Sequence, residues 1–155
     1  MMLDENEKLV LGDFGVSQFF EANSEIIKGT LGTIRFMAPE HFTSEGEKML
    51  NGKSVDVWAS GVTLYMMLTN EFPFKGKTLQ EITSQIKNDV PDYSLIKNNE
   101  IKRLLKSILE KDYLKRLTTI DIIEDDWLTQ NGEDLINLDL ISIIESSDIQ
   151  SSEID

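Results

Sequence analysis

From Val57 to Leu68 the chain runs twelve residues without a charge, and all but Ser60, Gly61 and Thr63 are apolar. Twelve residues fall well short of the roughly 20 that a bilayer-spanning helix needs. A helix apolar on nearly every face must be buried all round. The run therefore predicts a central helix about which the other elements pack. Ser54 is placed to cap it and Asp56 to lie favourably in its first turn. Asn70 and then Pro73 mark its end.

The flanking sequence supplies partners for such a beam. Leu79, Ile82 and Ile86 recur at spacings of three and four within Thr78–Lys87, as do Ile101, Leu104, Leu105 and Ile108 within Glu100–Glu110, so both segments predict amphipathic helices. Thr118-Thr119-Ile120-Asp121 reads as a capping box with Asp in place of Glu, opening a helix that runs on through Ile122, Ile123 and Trp127. Upstream, Lys8–Leu11 is a short β-type run, and the stretch from Gly12 to Gly32 reads as loop. Ala38–Phe42 predicts a short helix with Pro39 in its first turn. Thr43–Lys53 is polar and ends on the turn signal Asn51-Gly52. The fold class that results is mainly α: short β-structure and a long loop, then a helical bundle around one buried helix.

Composition narrows the function. The formal net charge is -13, which argues against nucleic acid or an anionic membrane as partner, since both are bound through Lys and Arg. Residues 130–155 hold seven acidic side chains and no Lys or Arg. That asymmetry divides the chain into a globular part, 1–129, and an acidic C-terminal tail, 130–155. Such a tail is a poor calmodulin target, since those are basic amphipathic helices. There is no cysteine, so a disulfide framework or thiolate metal site is excluded and a cytoplasmic or nuclear setting is expected. The single histidine, His41, cannot by itself build a zinc centre.

Four short motifs carry chemistry, and their order matters more than any one of them. Asp13-Phe14-Gly15 directly follows the short strand; a carboxylate there can bind Mg²⁺ on a triphosphate, and the glycine permits a sharp turn. Alone the tripeptide is weak, because turns favour Asp and Gly. Ala38-Pro39-Glu40 lies 25 residues beyond Asp13 within Gly32-Thr33-Ile34-Arg35-Phe36-Met37-Ala38-Pro39-Glu40. Asp56-Val57-Trp58-Ala59-Ser60-Gly61 follows, and Arg116 precedes a last helix with a Trp.

In this order and spacing, residues 1–129 resemble the C-terminal lobe of a eukaryotic-type Ser/Thr protein kinase, and most nearly the calcium/calmodulin-dependent kinase kinase group. The resemblance implies ATP and Mg²⁺ as cofactors of the complete kinase and a protein Ser or Thr as acceptor. It implies that Asp13 chelates the metal, that Phe14 packs between the lobes, and that Gly32 and Thr33 belong to the substrate-docking segment. It further implies a buried Glu40–Arg116 ion pair and an Asp56 that holds the catalytic-loop backbone. Thr30 is a candidate phosphorylation site, one residue beyond Gly29, which occupies the usual position. Ile34 departs from the family's usual Pro, and Asp125-Asp126 from its His-Pro.

The same resemblance defines what the 155 residues do not contain. There is no Gly-rich loop, no strand Lys and no HRD base. Met1 aligns with the position just after the catalytic-loop Asn. The expectation is that this chain alone transfers no phosphate, activity belonging to a longer kinase of which it is part. The alternative is a non-catalytic kinase-like binding module.

Overall fold

The computed structural model describes residues 2, 3, 5, 9–19, 24–29, 32–43 and 49–131. Thr30 and residues 132–155 lie outside the described residues, so neither the candidate phosphosite nor most of the acidic tail has a structural account.

Two small antiparallel ladders precede the helices. β1 (Met2–Leu3) pairs with β2 (Leu9–Val10), Met2 opposite Val10. β3 (Ile26–Lys28) pairs with β4 (Met49–Asn51), Ile27 opposite Leu50. The second ladder corrects the reading of Gly12–Gly32 as loop and of Thr43–Lys53 as polar turn. Three-residue strands with polar flanks carry too little alternation to be seen, and their pairing is a long-range event. A 3-10 turn also interrupts the expected loop at Phe14–Val16.

β4 runs straight into α1 (Gly52–Thr69). The cap is Asn51, whose side chain accepts from Ser54 N at 2.9 Å, and not Ser54 itself. Asp56 consequently stands in the second turn, beyond the residues that feel the helix N-terminus most strongly. Asn70 closes α1 in a left-handed conformation, φ 57°. One face of α1 forms the centre of the core, with Trp58, Val62 and Tyr65 fully buried. Burial is not all round, however. Met67 is 75% exposed and Asp56 and Ser60 are exposed, so a stripe of α1 faces outward among the described residues.

α2 (Leu79–Asn88) opens on a complete capping box between Thr78 and Glu81 and buries Ile82 and Ile86. α3 (Asn99–Ile108), capped by Asn98, buries Ile101, Leu104, Leu105 and Ile108. α1 and α3 cross where Gly61 leaves room. A Cβ at Gly61 would lie 2.4 Å from Ile108 Cγ2, so the absence of a side chain is what lets the helices approach. α4 (Thr119–Ile123) begins on the Thr118–Asp121 capping box, but it does not continue to Trp127. Asp125 breaks it and caps the separate α5 (Asp126–Thr129), accepting from Trp127 N at 3.0 Å. The buried carboxylate of Asp125 also accepts from the Arg103 guanidinium, a role that holds it at the interruption. None of the described helices is long and apolar enough to cross a membrane.

Candidate functional site

The segment from Gly32 to Phe42 brings several of the sequence-derived residues onto α1. It enters through Gly32, whose φ of +114° strains any residue with a side chain. Thr33 then starts a 3-10 turn over Ile34–Phe36. The backbone extends through Met37 and the buried Ala38 before a second 3-10 turn, Pro39–Phe42, with Pro at its first position. That turn is the short helix expected at Ala38–Phe42, wound more tightly than an α-helix. It sets Glu40 facing the helices and buries His41, whose Nδ1 lies 3.2 Å from Ala38 O.

Glu40 and Arg116 form a bidentate ion pair, Nη1 to Oε1 at 2.7 Å and Nη2 to Oε2 at 2.9 Å. The Arg116 side chain is 0% exposed and that of Glu40 12%. The guanidinium has further acceptors: Ser54 O at 2.9 Å, Ser54 Oγ at 3.0 Å and Glu110 O at 2.9 Å. Its Cζ lies 5.0 Å from the centre of the Trp58 ring. A single side chain thus joins the Pro39–Phe42 turn, the first turn of α1 and the end of α3. Bidentate, charge-assisted bonding of this kind is what allows an ion pair to be buried at all.

Thr33 and Asp56 line one small cavity of about 130 Å³, together with Met37, His41 and Ala59. Asp56 accepts no hydrogen bond among the described residues, and the protein packed around its carboxyl raises its pKa above the ordinary value. A larger cavity, about 560 Å³, opens on the other side of α1 between the β3–β4 ladder and α4. Arg116 and Val57 contribute to its wall, but Asp13, Thr33 and Asp56 do not.

Asp13 stands apart from this cluster. It adopts a left-handed conformation, φ 65°, at the entrance to the Phe14–Val16 turn, and that turn is closed by Ser17 N and Oγ, both donating to Phe14 O. A Cβ on Gly15 would come 3.3 Å from Asp13 Oδ1, a tight contact that a small shift of that exposed carboxylate would relieve. Phe14 is 68% exposed and so packs into no core among the described residues. No group of three potential metal ligands occurs among the described residues; Asp13 offers one oxygen-donor side chain to a hard cation.

Two cations missed in the sequence stand out. Arg35 donates to Phe74 O at 3.0 Å and Gly76 O at 3.3 Å. Lys111 Nζ donates to Ile86 O at 2.5 Å, at the end of α2, and lies 4.2 Å from the Phe74 ring centre and 5.1 Å from that of Trp58. Lys111 sits among polar residues and Arg35 between Ile34 and Phe36, and for a lone cation in either setting a solvated charge is the ordinary expectation. Burial pushes the Lys111 ammonium down to about 8, against the attraction of Asp89. The unfolded chain therefore holds more protons than the folded one between about pH 8 and pH 10.5. Stability should rise across that window, by on the order of 1–2 kcal/mol after solvent screening of a partly accessible group. Chemical denaturation of the wild type and Lys111→Met across that range checks this, the variant losing the rise.

Comparison with known proteins matches these features to one family. The protein kinase domain model matches residues 1–128. The chain is 37% identical to the Ser/Thr protein kinase ppk34 of Schizosaccharomyces pombe over 86% of its own length and 37% of that protein. It is 31% identical to a calcium/calmodulin-dependent protein kinase kinase of Caenorhabditis elegans over 85% of its length and 25% of that protein. With a calcium-dependent protein kinase of Plasmodium berghei it shares 35% identity over 80% of its length. The chain spans well under half the length of these relatives. With the kinase motifs in order and 128 of its residues matched, the chain belongs to the protein kinase family, of the eukaryotic Ser/Thr type.

Proposed function

We propose that residues 1–129 form the C-terminal, substrate-docking lobe of a Ser/Thr kinase whose reaction moves the γ-phosphate of ATP to a protein Ser or Thr, with 130–155 as an acidic tail. The observation that carries this reading is the fastening of the Gly32–Phe42 segment to α1 and α3 through the buried Glu40–Arg116 pair. That attachment holds Thr33 over the same cavity as Asp56. In the complete kinase Thr33 would meet the catalytic base. Asp56, whose carboxyl has no donor of its own here, would accept backbone N–H groups of the catalytic loop. The outward stripe of α1 that bears Asp56, Ser60 and Met67 is the surface such a loop would cover.

Asp13 suits Mg²⁺ as a single carboxylate, because the ion ordinarily takes one or two carboxylates with phosphate oxygens and water making up its octahedron. Bound there, the metal would neutralise phosphate charge; the chain's own part is to present the Asp13 oxygen from a turn that Ser17 closes. Phosphoryl transfer also needs a base, a phosphate-binding Lys and a cover over the nucleotide. None of these is among the 155 residues, so this chain alone is inactive. Thr30, six residues before Phe36, remains the candidate phosphosite.

The test has two arms. Purified 155-residue chain, incubated with Mg²⁺-ATP and a mixture of Ser, Thr and Tyr peptides, should transfer no phosphate above the background of its Asp13→Asn variant. The full-length protein should label Ser or Thr peptides and leave Tyr peptides unlabelled. Transfer by the short chain would overturn its inactivity, and a full-length protein that labels nothing would overturn the kinase reading itself.

A further inference from the structure

The 3-10 turn that follows Thr33 has little to hold it. It is three residues long, its Thr33 cap makes no side-chain hydrogen bond, and two backbone bonds close it, Phe36 N to Thr33 O at 2.9 Å and Met37 N to Ile34 O at 3.1 Å. A single 3-10 turn with no cap has no appreciable stability of its own. Its conformation must come from what it touches.

Phe36 packs against the core, and Arg35 supplies the polar contact. Its two terminal nitrogens reach two different carbonyls of the loop between α1 and α2, Phe74 O and Gly76 O. The guanidinium lies 5.0 Å from the centre of the Phe72 ring, and the next residue, Phe36, meets the same ring edge-on at 5.8 Å. The receiving loop is itself held from the α2 side. Gly76 N donates to Gln85 Oε1 at 2.8 Å and Lys77 N to Glu81 Oε2 at 2.7 Å. A Cβ on Gly76 would strike Ile82 N at 2.4 Å, so the loop sits directly on the start of α2. Arg35 grips a rigid partner.

We infer that Arg35 is a positioning residue: its guanidinium, spanning the carbonyls of Phe74 and Gly76, sets where the Thr33 turn stands relative to α2. A lysine is a weaker substitute, because its compact ammonium lacks the pre-organised planar fork whose two terminal nitrogens each take one carbonyl. The anchoring stands on the contacts alone. Its consequence for substrate docking rests on the kinase reading proposed above.

Hydrogen exchange on the 155-residue chain decides the anchoring. In Arg35→Ala the amides of Phe36 and Met37 should exchange about tenfold faster, the effect of losing hydrogen bonds from a charged donor. Arg35→Lys should recover only part of that protection, and the amides of Leu104 and Leu105 in α3 should keep their wild-type rates. Equal exchange at Phe36 and Met37 in all three proteins would overturn the inference, as would an acceleration shared equally by α3. In the full-length kinase, Arg35→Ala should raise KM for a peptide substrate about tenfold while KM for ATP and kcat stay within twofold. An unchanged peptide KM in an active enzyme would refute the docking consequence. A full-length protein without activity would instead count against the kinase reading, leaving the exchange result to stand on its own.

Discussion

Arg116→Met is expected to destabilise the chain by about 3–5 kcal/mol, the cost of removing one member of a buried, hydrogen-bonded ion pair. The methionine would roughly fill the space of the aliphatic stem, so the loss is not mainly a cavity. It arises because the Glu40 carboxylate, 12% exposed, would keep no cationic partner. The carbonyls of Ser54 and Glu110 would lose their donors as well. Removing both charges should be milder than removing one. Glu40→Gln with Arg116→Met should recover part of the loss, because no uncompensated charge then stays in the protein. Equilibrium urea denaturation of the single and double variants measures this, and a double variant less stable than Arg116→Met would refute the account.

The second large effect belongs to Trp58. It is 0% exposed and stacks nearly parallel on Phe74, 3° between the planes and 6.0 Å between centres. Arg116 and Lys111 lie 5.0 and 5.1 Å from the ring centre. Trp58→Ala should cost about 3–5 kcal/mol, as expected for an emptied aromatic site. Trp58→Phe should cost much less, about 1–2 kcal/mol of lost volume. The reason is that the indole Nε1 is buried without a hydrogen-bond partner among the described residues. Deleting it leaves nothing newly unsatisfied. Thermal or urea melts of the two variants would show the difference; equal losses would refute the account.

Much of the helical part was legible because its signals are local. The Thr78–Glu81 and Thr118–Asp121 boxes announce the starts of α2 and α4 within four residues, and the apolar stripe of α3 repeats at helical spacing. The start of α1 was misplaced because Asn51 suits a turn and a cap through the same carbonyl oxygen, and only the β4 strand beside it decides between them. Asp125 was missed as a break for a similar reason: its buried bond to Arg103, 22 positions earlier, has no local trace. The site shows the same division. Nothing in the periodicity links Glu40 to Arg116, and only the resemblance to a family joined them before the geometry was known. Arg35 and Lys111 had not even that signal, since a lone cation is taken as solvated until the aromatic rings and carbonyls beside it are placed. The apolar run in α1 misled in the opposite sense. It implied burial on every side, yet Met67 and Leu68 reach solvent among the described residues.

The Glu40–Arg116 bond spans 76 positions of sequence, whereas Tyr65 reaches Asp92 O across 27 and Lys111 reaches Ile86 O across 25. Closing a long loop costs more chain entropy than closing a short one, and contacts distant in sequence are slow to form. The three long helices can therefore gather while the Gly32–Phe42 segment is still loose. That segment is the last expected to dock, yet once in place its buried Ala38 and the Glu40–Arg116 pair make it part of the same core, so its departure would expose what the helices have packed against it.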